Sequence, residues 1–311
     1  MMEWAVKQGL LEDDNLRQQA ARGHYGFLIS RCYPNAEYEL LQAIANYFIW
    51  FFLCDDLFID RVESVTSETL RNLTSVIDVL DFDSARPEPV YGELAWLDIC
   101  RRFRRLLDAE HFERFAQGMR LWASSAGLQI LHHLRAESIG MREYRTIRRH
   151  TGGMDPCTSL QDVANHGPID ASEFHDYDIQ KLRHYANNVV CWSNDVHSLI
   201  VEAYQPGQFR NMVTIRAAEG FTLQESMDYV AACVEAEIAR FVELSNAILP
   251  HANTRVAGMI AGLQDSMRGY QDWVEQDTLR YAPEFIMNDA DDRGRIVLPS
   301  RTREIVGESK S

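Results

Sequence analysis

Four stretches of this chain carry apolar residues at helical spacing for longer than any strand would run: "LLQAIANYFIWFFLC", "ERFAQGMRLWASSAGLQIL", "IQKLRHYANNVVCWSNDVHSLIVEAY" and "LQESMDYVAACVEAEIARFVELSNAIL". None alternates strongly, and no Asn-Gly turn sits between alternating segments, so nothing reads as a hairpin or sandwich. Helix starts are marked by "YPNAEYELL", by "SETLRNL" and by "GFTLQESM", where Thr222 followed by Glu225 makes a capping box. Prolines fall mainly in the connections. The segment "DVLDFDSARPEPVYGEL" has a linker's composition, but the same helical patterning on both sides reads it as a surface loop. The expected fold is all-α: a single-domain helical bundle over residues 1–283, followed by a polar tail, 284–311, expected to be mobile.

Charge narrows the partners. The chain has 31 Lys and Arg against 46 Asp and Glu, a net charge of −15. That balance argues against a nucleic-acid surface, which needs clustered basic residues. It leaves room for a small anion, because bound cations can invert the local sign. The opening "MMEWAVKQGLLEDDNLRQQA" lacks the basic and then apolar order of a secretory signal. The apolar run over residues 40–54 is broken by Gln42 and Asn46 and is short for a bilayer, so no membrane span is expected. The six cysteines are scattered without a Cys-x-x-Cys pair and read as reduced thiols, as in a cytoplasmic protein.

Within the first long stretch, "YFIWFFLCDDLFID" ends an apolar and aromatic run in Asp55, Asp56 and Asp60. Carboxylates beside a core are costly unless something pairs with them, and an acidic pair near a helix C-terminus opposes the helix dipole. A candidate counterpart lies far downstream. Asn194, Ser198 and Glu202 are spaced i, i+4, i+8, and each step drifts by only about 40°, so their oxygens share one helical face. An amide carbonyl, a hydroxyl and a carboxylate are hard oxygen ligands suited to Mg²⁺. Asp55 and Asp56 would oppose them. Two such helices face to face would form a mouth for several Mg²⁺ and a phosphate-rich anion.

With these residues in view, the chain resembles the bacterial class I terpene synthases. "DDLFID" matches that family's Asp-Asp-x-x-x-Asp/Glu box, and "NDVHSLIVE" matches its Asn-Asp-x-x-Ser-x-x-x-Glu motif in full. "EYRTIRRHTGG" looks like the diphosphate-sensor segment, and "RGYQDWVEQDTLRY" like the C-terminal stretch ending in an Arg-Tyr pair. The likeness covers about residues 34–281. It implies a helical bundle around a central apolar cavity (the class I terpenoid synthase fold), closed by three Mg²⁺ and a substrate diphosphate. Asp55 would be the principal ligand of the first motif, with Asp56 and Asp60 in outer or closure contacts. Asn194, Ser198 and Glu202 would hold the remaining Mg²⁺. Arg148, Arg280 and Tyr281 would hydrogen-bond the diphosphate. Gly152 would turn a backbone carbonyl toward the new cation, with Thr151 as its linker. One position departs from the pattern: Val201 stands where the family usually has a basic residue, a contact that Arg210 could supply instead.

The implied reaction is Mg²⁺-dependent ionisation and cyclisation of a linear isoprenyl diphosphate, releasing diphosphate. Farnesyl diphosphate, giving a sesquiterpene hydrocarbon or alcohol, is the expected substrate; geranylgeranyl diphosphate is the runner-up. A cation needs walls that attract it without offering a nucleophile, and aromatic faces do this at about 0.5–2 kcal/mol each. Phe51, Phe52, Trp122, Trp192 and Trp273 are the cavity-lining candidates. Two further readings stand beside this one: a chain-elongating isoprenyl diphosphate synthase and a non-catalytic terpenoid-binding protein. The Asn-Ser-Glu set at the second motif, in place of a second aspartate box, favours the cyclase. A homodimer is the prior for quaternary state.

Overall fold

The long apolar stretches are helices, and no strand occurs among the described residues. The structure is a computed structural model that describes residues 1–12, 14–59, 67–134, 139–203 and 211–282. Asp60, Arg210 and the tail from residue 284 onward therefore lie outside the described residues.

In chain order the helices are α1 Met2–Lys7, α2 Asp14–Gly23, α3 Tyr25–Cys32, α4 Tyr38–Cys54, α5 Ser67–Phe82 and α6 Glu93–Leu106. There follow α7 Ala109–Leu134, α8 Met141–Thr151, α9 Met154–Thr158, α10 Gln161–Ala164 and α11 Ala171–Phe174. The last are α12 Tyr177–His197, α13 Leu199–Ala203, α14 Met212–Ala218, α15 Leu223–Ile248 and α16 Thr254–Asp272. Two of them run on into single π-helical turns, α4 into Asp55–Ile59 and α16 into Trp273–Asp277. Such turns insert an extra residue into the helical register and are frequent at functional sites.

Local chemistry sets the helix starts. At α15 the Thr222 hydroxyl accepts the Glu225 amide at 3.2 Å, and the Glu225 carboxylate accepts the Thr222 amide at 2.8 Å. Asp176 caps α12 by accepting the amides of Asp178 and Ile179, and Asn253 caps α16 by accepting that of Val256, amides that the helix itself leaves unpaired. The Pro-rich segment after α5 is a loop between two helices that pack on each other. The Glu93 carboxylate holds it by accepting the amides of Arg86 at 2.8 Å and Val90 at 3.0 Å.

The main core lies where α4, α6 and α7 meet. Trp50 stacks on Trp96 with centroids 4.4 Å apart, and Tyr47 packs edge-on against Phe115 at 5.2 Å. Residues Tyr38–Phe58 are long and apolar enough to cross a membrane by length and composition, yet 56% of that window is buried inside the protein. Such burial is what a core helix has. On the other side, α12 packs along α15, and α16 packs against α3, α10 and α12. These two sides bring the C-terminal end of α4 and the C-terminal end of α12 to one chamber.

Candidate active site

The chamber holds about 1100 Å³ of empty space, part of it open to solvent. Its apolar wall includes Phe48, Phe51 and Phe52 from α4, Met154 and Cys157 from α9, and Val190 from α12. Its polar lining includes Asp55, Arg148, Asn194, Ser198, Glu202, Arg280 and Tyr281. Asp55 and Glu202, distant in sequence, thus face the same hollow.

Helix α4 divides its side chains between two tasks. Ile49, Trp50, Leu53 and Cys54 are buried in the core, while Phe48, Phe51 and Phe52 are partly buried and line the chamber together with the buried Tyr47. Where the helix widens into its π-turn, Asp55 reaches the chamber and Asp56 takes a different partner. Asp56 is gripped through both carboxylate oxygens by the Arg280 guanidinium, one bond being Nη1 to Oδ2 at 2.7 Å. Bidentate pairing of this kind is among the stronger ion-pair geometries. Burial works against the Arg280 charge, but the Asp56 carboxylate more than offsets it, so its pKa is raised and the guanidinium stays charged.

The downstream stripe spans a helix boundary. Ser198 closes α12 and α13 follows, yet the i+4 spacing continues: the Ser198 amide bonds to Asn194 O at 2.8 Å and the Glu202 amide to Ser198 O at 2.9 Å. The Ser198 hydroxyl donates to the Asn194 carbonyl at 2.7 Å, which leaves its oxygen lone pairs available as an acceptor or ligand. Asn211, just before α14, donates from Nδ2 to Glu202 Oε2 at 3.3 Å and to the Asp195 carbonyl at 2.6 Å.

Arg148 sits in the last turn of α8. It donates from Nη2 to Asn194 Oδ1 at 2.6 Å and from Nε to Asp195 Oδ1 at 3.0 Å. Burial opposes its charge as well, but the Asp195 carboxylate raises its pKa well above the usual guanidinium value. Asp195 is the anchor of this group, since it also accepts the Tyr144 hydroxyl at 2.8 Å and the Met212 amide at 3.1 Å. The Asn194 amide nitrogen donates to the Tyr281 hydroxyl at 2.9 Å and the Tyr270 hydroxyl at 3.2 Å.

Between α8 and α9 the helical run breaks at Thr151-Gly152-Gly153, all three in the chamber lining. Gly152 has no room for a side chain: a Cβ there would lie 2.2 Å from Cys191 Sγ. Gly153 takes a left-handed backbone, φ +69°, and a Cβ there would lie 2.3 Å from Phe51 Cζ. Two glycines are therefore needed, one for space and one for both space and conformation.

Three of the five expected aromatic wall residues do not line this chamber. Trp122 is buried beside Phe51, ring centres 5.0 Å apart, and lines a separate small hollow with Trp50 and Asn72. Trp192 packs in a cluster with Met212, Val213 and Val230, under the Arg145 guanidinium at 4.8 Å. Trp273 is fully buried and donates from Nε1 to the Gly23 carbonyl at 2.8 Å. In each case the bulky ring faces a neighbouring helix, where it removes more apolar surface from water than at a half-open wall. Sequence reasoning assigned no role to Asp195, Asn211, Tyr144 or Tyr270. Asp195 alone carried a signal, as the acidic neighbour of Asn194; the others meet the site only through tertiary packing.

The donor set suits a hard divalent cation. Asp55, Asn194, Ser198 and Glu202 offer carboxylate, amide and hydroxyl oxygens on one chamber, with no thiolate or imidazole among them. A different acidic group, Asp108, Glu110 and His111, has ligand atoms within 4.8 Å of one another at the start of α7. Its two acids are exposed, and Arg114 already pairs with Glu110.

A family model described as terpene synthase family 2, C-terminal metal binding, matches residues 46–240. A sesquiterpene synthase of the fungus Metarhizium brunneum is 60% identical over 94% of this chain and 86% of its own length. The (+)-corvol ether B synthase/(+)-corvol ether A synthase ((2E,6E)-farnesyl diphosphate cyclizing) of Kitasatospora setae is 52% identical over 94% of this chain and 91% of its own. Among solved structures, the ancestral-sequence protein SVS_A2 aligns with a TM-score of 0.78 at 24% identity, over 89% of this chain and 83% of that one. Linalool/nerolidol synthase from Streptomyces clavuligerus aligns with a TM-score of 0.79 at 19% identity, over 88% of this chain and 93% of that one. The fold is that of the class I terpenoid synthases, and the chain belongs to the terpene synthase family.

Proposed function

We propose that this enzyme ionises farnesyl diphosphate and cyclises the resulting C15 cation to a sesquiterpene hydrocarbon or alcohol, releasing diphosphate. The observation that carries the reading is that Asp55 and the Asn194, Ser198, Glu202 stripe line one chamber together with Phe51 and Phe52. The farnesyl diphosphate cyclisation in the Kitasatospora relative's name supports the substrate length.

Asp55, Asn194, Ser198 and Glu202 would hold Mg²⁺, with three ions the expected number and Asp56 and Asp60 in supporting contacts. Bound there, Mg²⁺ supplies Lewis-acid stabilisation of negative charge on the leaving diphosphate. Arg148, Arg280 and Tyr281 donate hydrogen bonds to diphosphate oxygens as the allylic C–O bond breaks and its electron pair stays on oxygen. Phe51 and Phe52 stabilise the allyl cation through their ring faces and keep water from it. The Gly152 carbonyl adds a fixed dipole beside the cation, and the last proton leaves to the released diphosphate. Residues 1–283 act in this reading as one helical domain, working in the cytoplasm as a homodimer.

Separate incubations with C10, C15 and C20 diphosphates and Mg²⁺, followed by mass spectrometry of the extracted volatiles, test the assignment. A cyclic C15 product from farnesyl diphosphate is expected. Turnover of the C20 substrate alone would make the enzyme a diterpene cyclase. Product formed only with added isopentenyl diphosphate would make it a chain-elongating synthase.

A further inference from the structure

Tyr25 belongs to no motif, yet it touches two parts of the site at once. It opens α3 immediately after a break at which His24 takes a left-handed backbone, φ +49°. Its ring stacks on Phe52, centroids 4.3 Å apart and planes 12° from parallel. On Gly23 there is no space for anything larger: a Cβ would fall 2.4 Å from Tyr25 Cζ and 2.7–2.8 Å from the two Cε atoms. The ring is buried and held in contact with Phe52, so it could not swing away cheaply.

The Tyr25 hydroxyl accepts a hydrogen bond from Arg280 Nη1 at 3.1 Å. That nitrogen is the one bonded to Asp56 at 2.7 Å, and the Arg280 guanidinium carbon lies 5.2 Å from the Phe52 ring centre. The backbone around Tyr25 holds the same C-terminal segment. The Leu279 amide donates to the Arg22 carbonyl at 2.9 Å, and Trp273 Nε1 donates to the Gly23 carbonyl at 2.8 Å. The α2–α3 junction and the segment carrying Arg280 are therefore fastened together on either side of the arginine.

Arginine has many rotamers, and each hydrogen bond that presets the guanidinium lowers the ordering cost of binding an anion. Burial pushes the Tyr25 phenol pKa upward, so the hydroxyl stays neutral and the contact persists across the working range. We propose that Tyr25, seated by Gly23, is a positioning residue that aims the Arg280 guanidinium at the diphosphate and couples it to the Phe52 wall. This rests on the reading above in which Arg280 meets diphosphate. A Tyr25 that merely packed would need its ring but not its hydroxyl.

The experiment is calorimetric titration of inorganic diphosphate into the full-length enzyme at saturating Mg²⁺. Tyr25→Phe keeps the ring on Phe52 and should keep Tm within about 3 °C of wild type. It should nevertheless weaken diphosphate binding roughly 5- to 30-fold, the size expected for one hydrogen bond to a charged group acting through its neighbour. In an Arg280→Ala background the same change should have no further effect, within about twofold, because the two residues act as a unit. Gly23→Ala, which displaces the ring without altering a polar group, should weaken binding in the same direction. Wild-type affinity in Tyr25→Phe, or an undiminished penalty in the Arg280→Ala background, would overturn the proposal alone. Wild-type affinity in Arg280→Ala itself would overturn the functional reading beneath it.

Discussion

Arg148 Nη2 lies 2.6 Å from Asn194 Oδ1, so the guanidinium assigned to the diphosphate rests on the first oxygen of the downstream stripe. The Asn194 amide nitrogen, in turn, donates to the Tyr281 hydroxyl at 2.9 Å. One side-chain amide thus ties together α8, α12 and the C-terminal segment. A cation at the Asn194 oxygen would compete with Arg148 for it, and the freed guanidinium donor would be turned toward an arriving anion.

The oxygen ligands should be indispensable. Asp55→Ala and Asn194→Ala should each lower kcat/KM for farnesyl diphosphate by at least about 100-fold, since loss of a ligand costs more than loss of its supporting contacts. Circular dichroism and thermal melts would show folded protein in both. Full activity in both variants would refute the assignment of these residues.

The two glycines of the α8–α9 break should fail for different reasons. Gly153→Ala combines a positive φ with a clash on the Phe51 ring, and should cost about 2–4 kcal/mol in denaturant unfolding. Gly152→Ala clashes with Cys191 Sγ at 2.2 Å, a side-chain atom that can be deleted. The double change Gly152→Ala with Cys191→Ala should therefore recover much of the lost stability, whereas Cys191→Ala should do nothing for Gly153→Ala.

Wall aromatics and core aromatics should separate in their effects. Phe51→Leu should lower kcat by roughly 2- to 30-fold, the loss of one cation–π contact, and change the product ratios seen by gas chromatography. Trp122→Phe should cost about 1–3 kcal/mol of stability with the product ratios kept, because that ring does not line the chamber.

The difference between these aromatics also marks how far the sequence could be read. Helical periodicity was legible because it repeats over many turns, and the capping box at Thr222 because it is local. That Asp55, Asn194, Ser198 and Glu202 share one chamber could be expected only from the two motifs together, because an Asn-Ser-Glu stripe alone is more often an ordinary polar face. Which way Trp122, Trp192 and Trp273 point is not a local property, since each sits on a helix with more than one buried side and the neighbouring helix decides. Asp195 as an anchor and Tyr25 as a support for Arg280 were illegible for the same reason: their partners come from α8, α14 and the C-terminal segment. Nor does the pattern at Asp55 and Asp56 announce a π-turn, which sends one aspartate to the chamber and the other to Arg280.

Burial lowers the pKa of two histidines, His184 and His197, so both favour a decline in stability on mild acidification. Burial holds the His184 pKa below its ordinary value of 6.5, against the pull of Asp155 and with the help of Arg149 and Arg183. The unfolded chain therefore binds the extra proton more readily. The contribution of His184 is fully present above about pH 6.5 and is lost as pH falls through the lower folded value. Melts recorded from pH 7.5 downward should show a falling Tm in the wild type and a shallower fall in His184→Asn. Parallel curves would contradict the assignment.

The most direct test is a crystal structure of the enzyme grown with Mn²⁺ and inorganic diphosphate, with metal positions read from anomalous scattering. The account predicts manganese peaks bonded to Asp55 on one side and to Asn194, Ser198 and Glu202 on the other, with diphosphate between them in contact with Arg148 and Arg280. Peaks found only elsewhere, such as at Asp108 and Glu110, with the chamber free of metal and diphosphate, would contradict it.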